Sequence, residues 1–150
     1  MNDDRGEIEN LMAEYSRTYD SGDFVAYAAL FKHGKVGAEG LDFKTNEEIA
    51  EFHTKNIHLY DDKPNTRHVI TNLRIDIADD RQTAEGECYV IIFNAAPGFP
   101  LQAIFVGTYH AKFHKIDGKW WFKEYIAEPH LRGDMSHHSK LGGLPPTASD

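Results

Sequence analysis

Lys115-Ile116-Asp117-Gly118-Lys119-Trp120-Trp121-Phe122 decides the fold of this chain. An Asp-Gly pair between two runs of β-forming residues marks a two-residue hairpin, because both central positions of that turn take positive φ. Residues 101–116 therefore read as one long strand. Residues 119–128 read as its partner, carrying Trp120, Trp121, Phe122, Tyr125 and Ile126. Working backward, Ala96-Pro97-Gly98-Phe99-Pro100 is a loop by composition. Residues 83–94 are rich in β-formers, Asp79-Asp80-Arg81-Gln82 is a turn, and residues 66–78 are extended.

The earlier half has a different period. Ile8, Leu11, Met12, Tyr15 and Tyr19 recur at three- and four-residue steps, which predicts a helix over about 5–20. Ser21-Gly22-Asp23 interrupts it, and Phe24, Tyr27, Ala28 and Phe31 start a short second helix. A brief strand is expected near 35–39. Thr45-Asn46-Glu47-Glu48 fits a capping box and opens a third helix with Ile49, Phe52, His53 and Ile57. Helices first and antiparallel strands afterwards predict an α+β fold, three N-terminal helices lying on one face of a curved, mostly antiparallel sheet. The expectation is a single domain over 1–150, with a core of about 5–128 and a polar, Gly- and Pro-broken tail over 129–150.

The first long strand carries two apolar sets. His68, Ile70 and Asn72 share one face, and Leu73, Ile75 and Ile77 share the other. A bulge or strong bend at 71–74 would turn both sets inward and leave His68 lining a concave interior.

Hydrophobic content of 41% with 12% aromatic residues places the chain among folded globular proteins rather than disordered ones. A net charge of −8 with no basic stripe argues against nucleic acid or an anionic membrane as partner. The first residues lack a signal-peptide run and no segment is apolar enough to span a bilayer, so a cytoplasmic protein is expected. Cys88 is the sole cysteine and lies in an apolar strand pattern, where packing is its expected role.

Histidine is the natural general base near neutral pH, and a carboxylate on its second ring nitrogen fixes the tautomer. His68 is the candidate base, with Asp20 and Asp23 both candidates for its partner. Tyr15 and Tyr19, four apart on one helix, can face the same pocket as hydroxyl donors or pack in the core. The other histidines have poor ligand spacing: His110 and His114 lie about 13 Å apart on a strand, and His53 and His58 are five apart on a helix. No metal site is expected, and His137-His138 reads as part of the tail.

Tyr19-Asp20-Ser21-Gly22-Asp23-Phe24 and Thr66-Arg67-His68, with the closing Asp-Gly-Lys-Trp-Trp-Phe hairpin, resemble the SnoaL-like family of the nuclear transport factor 2-like superfamily. The likeness covers about 5–128 and is closest to scytalone dehydratase, bile acid 7α-dehydratase and hexachlorocyclohexane dehydrochlorinase. The resemblance implies a cone-shaped α+β barrel and an Asp20–His68 dyad in which the histidine abstracts a proton. It implies Tyr19 and Tyr15 as polarising hydroxyls, and no cofactor. Glu39 and Asn94 stand where the scytalone enzyme has a second tyrosine and a second histidine, which makes Asn94 a candidate donor to substrate.

The resulting expectation is a lyase or isomerase acting on a small cyclic, largely apolar molecule. Phe24, Phe31, Phe52, Ile70, Val90, Ile92 and Phe105 would form the apolar wall. Dehydrohalogenation and a non-catalytic binding or assembly module are the alternatives. An unfilled cavity lined by His68 would favour an enzyme, and side chains plugging the cone would favour a module. A homo-oligomer is expected, a trimer in preference to a dimer. The tail with His130, Leu131, Arg132 and Met135 is a candidate pocket lid.

Overall fold

The computed structural model describes residues 3–38 and 41–141. Helix α1 spans Asp4–Ser21, α2 Phe24–Ala29 and α3 Asn46–Asn56. The strands are β1 Lys35–Gly37, β2 Thr66–Ile77, β3 Thr83–Ala96, β4 Phe99–Ile116 and β5 Lys119–Arg132. They form one sheet in the order β1-β5-β4-β3-β2, antiparallel except for the β1–β5 pair. The sheet is open, with β1 and β2 as its edges, and the helices lie against one of its faces.

Local chemistry sets the boundaries. Asp3 caps α1 by accepting the Gly6 N–H at 2.9 Å. At the other end Gly22 takes the left-handed conformation (φ +83°) and donates to the Tyr19 carbonyl. A Cβ there would also lie 2.3 Å from the Asp62 carbonyl oxygen, so this break admits only glycine. Asp23 then caps α2 through the Ala26 N–H. Thr45 caps α3 as expected, although Glu48 reaches the Lys44 N–H rather than that of Thr45. The Asp117-Gly118 turn has positive φ at both residues, as the hairpin demands.

The register of β2 against β3 slips between Thr71 and Arg74, where Asn72 has φ +54°. Thr66, His68 and Ile70 face inward before the slip, and Leu73, Ile75 and Ile77 after it. The expected bulge is present, and it lets two sets that a regular ladder would oppose share one side. A comparable slip between Lys112 and Phe113 brings Phe122 and Tyr125, three residues apart, into the core together.

Ile8, Met12, Tyr15 and Tyr19 form the buried stripe of α1. Its first turn is fixed by Asp4, whose carboxylate accepts from Lys115 Nζ at 2.8 Å, Trp120 Nε1 at 3.0 Å and Arg81 Nε. These charge-assisted bonds hold the Asp4 carboxyl far below the usual range. Trp120 is buried and Trp121 lies at the surface under Lys32 and Lys119. No helix among the described residues is long and apolar enough to cross a membrane.

The tail departs most from the sequence reading. Strand β5 runs four residues past Glu128, pairing Leu131 with Val106 and Arg132 with Phe105. The chain then turns at Met135, whose carbonyl accepts from the N–H groups of His138 and Ser139. It is strapped to the end of α3: the His138 carbonyl accepts from the His58 N–H at 2.9 Å, and Lys140 N–H donates to the Asn56 carbonyl at 2.7 Å. Tyr60 donates its hydroxyl to the His137 carbonyl, and the His137 ring stacks on Phe99.

Candidate active site

Asp20 stands in the last turn of α1, opposite the start of β2. One carboxylate oxygen accepts from His68 Nδ1 at 2.7 Å and from the Thr66 hydroxyl at 2.7 Å. The other accepts the backbone N–H of His68 at 2.9 Å. Two residues of one strand therefore hold the carboxylate by three bonds. Because a carboxylate only accepts, Nδ1 of His68 carries the proton. Nε2 is left with its lone pair, and it has no hydrogen-bond partner among the described residues. Burial opposes the charge on Asp20, but the His68 and Thr66 bonds outweigh it and bring its pKa below the ordinary carboxylate value. Asp23, the other candidate partner, is the α2 cap.

Tyr19 packs its ring against His68 at 4.6 Å between centroids. Its hydroxyl lies 3.3 Å from Nε2 of His138, a residue the sequence reading left in the tail. His138 is 4% exposed, and burial, followed by the nearby His68 and His53 rings, lowers its pKa to about 3. Its Nδ1 has no partner among the described residues. His53, expected on α3 with Ile49 and Phe52, is buried between Tyr19, Phe24, Tyr27 and Phe52 and uses Nδ1–H to bond the Ile49 carbonyl at 2.7 Å. Burial lowers its pKa as well. The polar composition of 129–141 masks this contribution, since only pairing with the end of α3 makes His138 a buried residue.

Tyr15 lies one turn deeper. Its hydroxyl accepts from Tyr109 at 3.2 Å within a cluster that includes Tyr27 and Tyr125. Burial raises the pKa of Tyr15 and lifts those of Tyr19, Tyr27, Tyr109 and Tyr125 further, so the phenols stay protonated. These rings, with Phe31 stacked on Phe122 at 4.9 Å, fill the middle of the helix–sheet interface.

Asn94 corrects the expectation of a substrate donor. It is fully buried, and its amide nitrogen bonds the carbonyls of Asn65 at 3.0 Å and Pro64 at 3.3 Å. It thus clamps the turn that launches Thr66, and only its unpartnered Oδ1 remains. Of the expected apolar wall, Phe24, Phe31, Val90 and Ile92 are buried core residues, while Phe52, Ile70 and Phe105 are half-buried. Glu39 lies outside the described residues. Cys88 is buried with its thiol pushed up to about 11 by that burial, as befits a packing residue.

Open space lies at the edge of the sheet. A cleft of about 600 Å³ runs between α1 and β2. Ala13, Ser16, Arg17 and Asp20 form one wall, with Lys63, Arg67, His68 and Ile70 opposite. Among the described residues no group of three His, Cys, Asp or Glu is placed to hold a metal.

The sequence matches the family model of the SnoaL-like domain over residues 2–126. No curated protein matches the chain. A variant of Rv3472, a function-unknown protein from Mycobacterium tuberculosis, aligns with a TM-score of 0.69 at 19% identity, over 83% of this chain and 70% of its own. A protein from Novosphingobium aromaticivorans, described as NTF2-like with a cystatin-like fold, gives 0.68 at 21%, over 83% and 80%. A candidate scytalone dehydratase from the same organism gives 0.66 at 22%, over 85% and 84%. At such identities these structures speak for the fold.

Proposed function

The chain belongs to the SnoaL-like domain family, and on that premise we propose that it is a lyase or isomerase whose base is His68. Its substrate is a small cyclic, largely apolar molecule with a carbonyl group. The observation that carries the proposal is the 2.7 Å bond from His68 Nδ1 to Asp20, which leaves Nε2 without a partner among the described residues, on a residue that lines an open cleft.

In the proposed step a C–H bond next to the carbonyl breaks. The proton passes to Nε2 and the electron pair moves onto the carbonyl oxygen as an enolate. Asp20 stabilises the imidazolium without taking its proton. The Tyr19 hydroxyl, held by His138, donates to the enolate oxygen; its raised pKa keeps it a donor rather than a phenolate. The enolate then re-forms the carbonyl as a double bond forms toward the β-carbon. A β-hydroxyl leaves as water with the proton carried by His68. Return of that proton to a different carbon would instead give an isomer. Tyr15 supports Tyr19 from within the phenol cluster.

The same proposal includes the tail as a lid, since its His138 packs on Tyr19. It also includes a homo-oligomer, trimer before dimer, formed through the uncovered sheet face where Val69, Tyr89 and Ile126 are exposed.

The test is a parallel screen of cyclic 3-hydroxyketones and 3-chloroketones, following enone formation by absorbance. The wild-type chain should eliminate from one class, and His68→Ala should not while keeping its thermal transition. Equal rates for the two proteins would overturn the assignment, and ligand binding without turnover in both would leave a binding module.

A further inference from the structure

The cleft beside the dyad has an unexpected charge. The chain carries a formal −8, yet Arg17, Lys63 and Arg67 all line this cleft, against one carboxylate, Asp20. Asp20 does not need them. Its oxygens are taken by Thr66 and by the ring and backbone of His68. Neither Arg17 nor Lys63 has an ion-pair partner among the described residues, and Arg67 bonds only the Thr66 carbonyl, at 2.7 Å. Ser16, on the α1 wall between Ala13 and Arg17, has a buried hydroxyl with no partner among the described residues. Opposite it, Ile70 offers a half-buried apolar surface.

Three unpaired cations around one cleft of an acidic protein repel one another, and an anion entering between them relieves that repulsion. We propose that the substrate is a cyclic acid, its ring over Ile70 and His68 and its carboxylate held among Arg17, Lys63 and Arg67, with Ser16 as a further donor. This deepens the reading of His68 as base and rests on it. Guanidinium groups match a carboxylate through paired N–H donors, which fixes the orientation of the ring as well as its charge. The acid group would bind at the rim, and the carbon to be deprotonated would lie inward at Nε2.

The test compares 2-naphthoate with its neutral isostere 2-naphthamide, following the His68 ring signals by NMR as each is titrated into the whole chain. The naphthoate should bind about tenfold more tightly, the equivalent of one or two screened charge contacts. That preference should shrink with added salt. Arg17→Gln with Lys63→Gln should bring the two affinities together; both side chains are exposed, and Arg67 keeps its bond to Thr66. Equal affinities in the wild type, or a preference untouched by the double variant, would overturn the anion site while leaving His68 as a base. If neither probe shifts His68, both the acid substrate and the cleft as active site fall.

Discussion

Asp20 and His68 are joined twice, by a 2.7 Å bond from the ring Nδ1 to one carboxylate oxygen and a 2.9 Å bond from the backbone N–H to the other. The double attachment fixes the ring's tautomer and also anchors the strand that carries it to the last turn of α1. Orientation and chemistry are therefore set by one side chain.

Replacing Asp20 with Asn should test both roles. An amide has one accepting oxygen, so its NH₂ must face either the His68 backbone N–H or the ring Nδ1 and the Thr66 hydroxyl, and the charge that stabilises the imidazolium is lost. Elimination or exchange should fall by about 10³–10⁴-fold. Thermal stability should drop by about 1–3 kcal/mol, the usual worth of bonds to a charged group. Loss of stability with full activity would contradict the orienting role. Because the Asp20 pKa is lowered by folding, its contribution is present above the ordinary carboxylate pKa and disappears as pH falls below it.

Thr66 is a positioning residue, since its hydroxyl touches Asp20 and not the cleft chemistry. Thr66→Val should cost about 1 kcal/mol of stability and lower kcat with little change in KM. Thr66→Ser should restore kcat. A KM effect without a kcat effect would place Thr66 on the substrate instead.

His138 predicts a pH-dependent tail. Its pKa falls from 6.5 to about 3 on burial, so the undocked tail binds a proton that the docked tail refuses. Docking is complete above pH 6.5 and weakens as pH falls toward 3, by about 1.4 kcal/mol per unit at most. Hydrogen exchange in residues 133–141, corrected for intrinsic rates, should accelerate between pH 6 and 4, and His138→Phe should remove the acceleration. Uniform protection over that range would contradict the docked, neutral histidine.

The bulge at Asn72 carries the geometry that brings His68 and Ile75 to one side. Asn72 has φ +54°, a conformation a β-branched residue resists. Asn72→Gly should be neutral or slightly stabilising, and Asn72→Val should cost about 1–2 kcal/mol in chemical denaturation. Equal stability of the two variants would mean that the bulge relaxes.

The hairpin at Asp117-Gly118 and the cap at Thr45 were legible because each rests on contacts within a few residues, and the bulge at 71–74 because two apolar sets on opposite faces of one strand both had to turn inward. The pairing of Asp20 with His68, 48 positions apart, was less legible. Residue chemistry admitted Asp23 as well; spacing at the helix break favoured Asp20, and the family resemblance strengthened that choice. His138 was missed because 129–141 is mostly polar, with Leu131, Met135 and Leu141 too sparse to form a period; its burial comes with backbone bonds to Asn56 and His58, which no local pattern encodes. Asn94 was misjudged for a related reason. Its strand position was right, but its amide is consumed by the carbonyls of the turn at 64–65, a contact set by how β2 enters the sheet.

The most direct test of His68 as the base follows carbon-bound hydrogen exchange of 2-tetralone in D₂O by NMR. The wild-type chain should catalyse exchange next to the carbonyl, His68→Gly should lose it, and added imidazole should restore part of it to the glycine variant alone. Exchange that is unchanged in His68→Gly would show that another group takes the proton and would contradict the role given to His68.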